Sequence, residues 1–266
     1  MAKTGTDVKG VPRARTDGRL EVIPVIGMPE VRPGDDLTRL LLAALHQHEE
    51  TVLARDVVVV AQKVVSKSEG RLVRLVDVVP SERALSMAAE SGKDPRALEV
   101  VLSESRAVLR WERGVLIAET RHGFVCANAG VDQSNAGAPG LVVLLPLDPD
   151  ASAARLRDAI RAATGIDVAV VITDTFGRAW REGHVNVAIG AAGLPALERF
   201  AGRHDPEGYE LKVTQIALAD EIAAATELVM GKLDRRPAAV VRGLVLASSD
   251  DTARTYVRPR DKDMFR

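Results

Sequence analysis

The chain has a single cysteine, Cys126, among its 266 residues. One thiol excludes an intramolecular disulfide and any cysteine-rich zinc site, and it suits a reducing cytoplasm. Cys126 lies in the apolar run 124–127, the setting of a buried structural thiol rather than a nucleophile. Aromatic residues make up only 3%, too few for the stacking platforms that hold single-stranded nucleic acid. Neither sign of charge is in excess: 36 Lys and Arg face 37 Asp and Glu, which argues against a nucleic-acid partner. No apolar run approaches the ~20 residues that span a bilayer. The basic N-terminus is not followed by an apolar region, so no secretory signal is expected. The expectation is a cytoplasmic protein with no nucleic acid and no membrane among its partners. The familiar phosphate loop, the dinucleotide fingerprint, the nucleophile elbow and the paired-histidine zinc motif are all missing.

What is there centres on residues 168–193. Val168 to Ile172 has the composition of a fully buried strand. It runs into Thr173, Asp174 and Thr175, a hard-oxygen cluster suited to Mg²⁺ or Mn²⁺. Arg178 and Arg181 follow, and guanidinium groups hold phosphate or carboxylate in bidentate fashion. The plainer reading makes Asp174 a strand-end turn and the two arginines surface partners of Glu182. A second buried strand, 56–60, leads into Gln62, Lys63, Ser66 and Lys67, read as a polar phosphate-contact loop or, more plainly, a solvated turn. A third segment, 129–137, is rich in turn residues and carries Asp132 and Asn135. Asp132 is either an Asx-turn residue or the second carboxylate of a metal site that also takes phosphate oxygens.

Residues 1–19 read as a flexible tail, 20–247 as the folded domain and 248–266 as a polar C-terminal tail. Helices are expected over 37–47, after Ser81, after Asp94–Pro95, over 151–163, over 194–200 and over 219–230. Strands are expected at 20–27, 111–120, 123–128, 141–145, 211–216 and 238–242. Helices and strands mix without a steady alternation, so the fold class is α+β, in two lobes, rather than a doubly wound sheet.

Several spaced motifs then occur in one order: MPEVRPGDDL, QKVVSKSEGR, NAGVDQSN, PLDPDASA, VITDTFGRAWREG, VAIGAAGL, ADEIAAA and VVRGL. Together they resemble the coenzyme F420-0:γ-glutamyl ligase family over roughly 22–244. The resemblance implies two unlike α+β subdomains with mixed sheets, and an intertwined homodimer. It implies GTP-dependent addition of L-glutamate to the deazaflavin coenzyme precursor F420-0, with F420-1 as a further acceptor, through an acyl phosphate. By position, Met28, Pro29, Glu30, Val31, Gln62, Lys63, Lys67 and Asn135 would contact GTP, with Met230, Gly231 and Lys232 at the same nucleotide site. Asp132, Asp174 and Thr175 would hold Mg²⁺ or Mn²⁺, with K⁺ as an additional ion. The resemblance does not assign a substrate to Arg178 or Arg181; their guanidinium chemistry alone makes one of them the expected holder of a carboxylate or phosphate.

Two departures bear on this. Archaeal members tend to carry an acidic metal ligand where Lys232 stands, and a protonated lysine cannot ligate a cation. Some bacterial members continue into a flavin-binding domain, and no flavin is implied here. The competing readings are a metal-dependent nucleotide hydrolase, another amide ligase on the same loops, or a non-catalytic nucleotide-binding subunit.

Overall fold

The computed structural model describes residues 15–134 and 137–265. The chain opens with β1 (Arg15–Pro24), α1 (Leu37–Gln47), β2 (Val57–Ala61) and α2 (Gln62–Ser68). A middle group follows: β3 (Leu72–Arg74), α3 (Glu82–Ser91), α4 (Pro95–Glu104), β4 (Ser105–Glu112), β5 (Val115–Thr120), β6 (Val125–Ala127) and β7 (Leu141–Val143). Then come α5 (Pro149–Thr164), β8 (Ala169–Arg178) and β9 (Arg181–Ala192). The short strands β10 (Leu197–Arg199), β11 (Arg203–His204), β12 (Glu210–Leu211) and β13 (Gln215–Ala217) precede α6 (Leu218–Met230) and β14 (Ala238–Val245). The fold is mixed α+β.

The main sheet has the order β1-β14-β2-β8-β9, and only the β2–β8 pair in it is parallel. An unbroken valine run is what such a central strand requires, because both of its faces are covered. Val58 and Val60 face one apolar cluster together with Val170, Ile172 and Val240, against α1 and α5. Val57 and Val59 face the opposite cluster with Val171 and Val241, against α6. The middle group has apolar clusters of its own, built on α3, α4 and β5 around Leu98 and Leu116, and on Val100, Val142 and Leu144.

The helix starts follow capping chemistry. Asp36, Ser81, Asp94 and Asp148 each accept a bond from a backbone N–H of the first turn, which satisfies a donor the helix cannot. Gly92 and Gly165 close α3 and α5 with positive φ.

Several expectations are corrected. The segment after Ala61 is the helix α2, not a loop; at seven residues, about two turns, it is too short to show a clear helical period in the sequence. Leu194 to Phe200 contains the strand β10, paired with β13, instead of a helix, because Pro195 and the partner strand override the local leucine and alanine propensity. The expected strand at 211–216 is split between β12 and β13, and the one at 111–120 is two strands, since β4 turns into β5 through Arg113 and Gly114, both at positive φ. β1 begins at Arg15, inside the expected tail; residues 1–14 lie outside the described residues.

The polar segment after Ser248 packs back on the domain. Tyr256 donates its hydroxyl hydrogen bond to the Ala196 carbonyl and accepts from the Ala219 N–H at 3.0 Å. Tyr256→Phe removes both bonds and leaves the two backbone groups, in a half-buried place, only the longer 3.3 Å bond from the Ala219 N–H to the Ala196 carbonyl. A loss of about 1–2 kcal/mol in urea unfolding is expected; an unchanged midpoint would mean the segment contributes nothing to the fold.

Candidate active site

β2 ends at Ala61, which lies opposite Thr173 of β8. β8 continues for five residues beyond that point, paired only with β9. The strand therefore outruns its parallel neighbour, and Asp174 and Thr175 stand at an open carboxyl-end edge of the sheet. They are not in a loop, as their composition suggested, but in the strand itself. The edge is the wall of a cavity of about 960 Å³, ample for a nucleotide-sized ligand.

Met28, Pro29, Glu30, Val31, Gln62, Lys63 and Lys67 line this cavity from the chain's first third. Asp132, Asp174 and Thr175 line it too, as do Met230, Gly231 and Lys232. Arg178 and Arg181 do not. They sit at the β8–β9 hairpin tip, where Arg178 donates from its NH2 to the Glu182 carbonyl at 2.7 Å and Arg181 is exposed. Asn135 lies outside the described residues.

The cations are placed by α2. Lys67 is buried, with 5% of its surface exposed, and is ion-paired with Glu30. Lys63 reaches across to the 132–134 turn, meeting Asp132 Oδ2 at 2.7 Å and the Ser134 carbonyl at 2.8 Å. Asp132 also accepts from the Ser134 N–H at 2.7 Å and from its hydroxyl at 3.0 Å. The Asx-turn and the cavity-lining roles of Asp132 are thus both realised.

The two aspartates differ in charge environment. Burial works to raise the Asp132 pKa, but the Lys63 hydrogen bond and charge, with the Ser134 bonds, outweigh it and hold the carboxyl below its ordinary value. For Asp174, burial dominates, and repulsion from Asp132 adds to it. The Thr175 N–H, at 2.8 Å, and the charges of Lys63 and Lys232 only partly offset this, and the carboxyl is pushed up to about 6. A carboxylate in that condition is short of positive charge. Cys126 feels Asp174 as well, but burial is the larger effect, and the thiol is pushed up to about 12. A thiol so hard to ionise is not a nucleophile.

Among the described residues, no three His, Cys, Asp or Glu side chains close on one point. The donor set is instead two carboxylates and a hydroxyl. That fits a small hard cation, which is held by one or two carboxylates and completes its shell with waters and substrate phosphates.

The lining residues that sequence reasoning missed include four with polar or charged side chains. Asn186 is buried at 3% exposure in β9, and Glu227 projects from α6. Arg235 and Arg236 add positive charge from the segment before β14. Asn186 was hidden in an apolar strand pattern and Glu227 in a helix read only for its periodicity. The one available signal was the polar residue inside VNVAIG.

Residues 25–243 match the family described as F420-0:Gamma-glutamyl ligase. The chain is 44% identical over 250 residues to the coenzyme F420:L-glutamate ligase of Methanothermobacter thermautotrophicus, covering 93% of this chain and 99% of that protein. It is 46% identical to the coenzyme F420:L-glutamate ligase of Methanopyrus kandleri, over 93% of this chain and 97% of the relative. The protein of the same name from Methanocaldococcus jannaschii is 37% identical, over 92% and 97%.

Proposed function

The chain belongs to the F420-0:gamma-glutamyl ligase family, and from that premise we propose that it ligates L-glutamate through a γ-glutamyl amide linkage to coenzyme F420-0, using GTP and a divalent metal. The observation that carries the reading is one cavity lined by Asp132, Asp174 and Thr175 together with Lys63, Lys67 and Lys232. Amide formation from a carboxylate needs that carboxylate activated, and the γ-phosphoryl group of GTP supplies the activation. The terminal carboxylate oxygen attacks the γ-phosphorus, GDP leaves with the bridging electron pair, and an acyl phosphate results. The α-amine of glutamate then attacks the acyl carbon, inorganic phosphate departs and the amine proton is lost to solvent.

Such chemistry needs no protein nucleophile. Positioning and charge neutralisation carry it, and the residues present match that demand. Lys63 and Lys67 hold phosphate oxygens, and Asp132, Asp174 and Thr175 would hold Mg²⁺ or Mn²⁺, which supplies charge neutralisation at the transferred phosphoryl group. Lys232 stands where it adds neutralising charge of its own. Gln62 and the 28–31 segment form the nucleotide wall. Two unlike subdomains and a homodimer are part of the same reading, as is a site for K⁺. The hairpin arginines Arg178 and Arg181 would reach a substrate carboxylate only from outside the described cavity wall.

The test is mass spectrometry of F420-0 after incubation with the protein, GTP, L-glutamate and Mn²⁺. A mass gain of one or more glutamyl units together with GDP is expected. GTP hydrolysis indifferent to both acceptors would favour a nucleotide hydrolase, and no turnover with any divalent metal would favour a binding subunit.

A further inference from the structure

Asn186 lies directly opposite Thr175 across the β8–β9 ladder and is almost fully buried. Both ends of its amide are used. Oδ1 meets the Thr175 hydroxyl at 2.9 Å, and Nδ2 meets Glu227 Oε2 at 2.9 Å. The direction of this chain is dictated by its last member. A carboxylate only accepts hydrogen bonds, so the NH2 end of Asn186 faces Glu227 and its carbonyl end faces Thr175. The carbonyl end also only accepts, so Thr175 donates its hydroxyl proton to it. That proton therefore points along the relay toward Asn186, and the hydroxyl keeps its lone pairs for the cavity.

We propose that Asn186 and Glu227 are positioning residues that hold Thr175 as an acceptor for a hard cation. The inference rests on the metal reading above and assigns roles to two residues outside its ligand set. A hydroxyl free to rotate would present its proton to the cavity part of the time, repelling a cation and donating to a phosphate instead. The relay removes that alternative before any ligand arrives. Outer partners of this kind tune metal sites by fixing the orientation of the ligands themselves.

Mn²⁺ binding to the full chain, followed by calorimetry or electron paramagnetic resonance, tests this. Glu227→Ala frees the Asn186 amide to turn and should weaken Mn²⁺ binding about tenfold or more. Glu227→Gln, which tolerates either direction, should give a smaller loss in the same sense. Neither loss should appear in a Thr175→Val background, where there is no hydroxyl left to orient. Metal-free unfolding of each variant checks that it is folded. Wild-type Mn²⁺ affinity in both Glu227 variants, or losses that multiply with Thr175→Val, would overturn the proposal. Failure of the wild-type protein to bind Mn²⁺ would instead overturn the metal reading beneath it.

Discussion

Asp174→Asn is expected to abolish ligation, by on the order of 10³-fold in turnover, while making the metal-free protein more stable at pH 7. Asp174 titrates at about 6 in the fold, against an ordinary 3.8. The folded state thus holds the proton more tightly than the unfolded state does. Stability is then greatest below about pH 4, falls as pH rises toward 6 and carries the full penalty above 6. A shift of that size corresponds to at most ~3 kcal/mol, and partial exposure of the residue lowers the expectation to about 2 kcal/mol. Asparagine keeps the shape and removes the charge, so the variant should melt higher than wild type at pH 7 and equal to it near pH 4. Product formation at the wild-type rate would refute Asp174 as a metal ligand. A lower melting temperature at pH 7 would refute the charge argument. On the metal reading proposed above, that cost to the metal-free protein is what a bound cation would offset.

Gly190→Ala is expected to cost about 3 kcal/mol or to prevent folding. A Cβ built on Gly190 would stand 2.3 Å from the Pro149 carbonyl oxygen and 2.6 Å from its carbon. These are backbone atoms at the first turn of α5, and that turn cannot retreat. Asp150 Oδ1 accepts from the Ala191 N–H at 2.9 Å and from the Ala253 N–H at 2.8 Å, locking the helix start to the strand beside Gly190. The φ angle at this glycine is not positive, so the requirement is space alone. Gly177→Ala, in the same hairpin, is the control. Its Cβ would come no closer than 3.9 Å to His184, and a change within about 0.5 kcal/mol is expected. Equal midpoints for the two variants in urea unfolding would refute the close-packing account.

How much of this was legible beforehand depended on whether a residue's role is local. The valine run at 57–60 and the capped helices announce themselves, because strand burial and N-cap chemistry are written within a few neighbouring residues. Helix α2 did not, since seven residues rich in valine and lysine carry little helical signature. Asp174 and Thr175 were recognisable as chemistry, yet their place in a continuing strand was not. That place depends on β9, which pairs with them, and on β2, which stops short. The ion pair between Lys63 and Asp132 joins residues 69 positions apart in sequence, and no local pattern encodes it. Asn186 and Glu227 were overlooked for the same reason. Each looks ordinary in its own element, and the relay exists only where β9 and α6 meet.

The strand order has a consequence for how the protein comes into being. β14 lies between β1 and β2, so the strand that completes the middle of the sheet is the last one synthesised. β1 has no other partner in that sheet, and it must wait for residues 238–245 to leave the ribosome. At 5–20 residues per second, the interval between β2 and β14 is roughly 10–40 s. During it, β1 and the β14-facing edge of the valine-rich β2 are unpaired, the condition in which nascent chains associate wrongly. The middle group, with its own apolar clusters, is free to form meanwhile. A chain interrupted just before Ala238 would carry every cavity-lining residue on a sheet that lacks the strand joining β1 to β2, and it should be recognised by chaperones and proteases as unfinished.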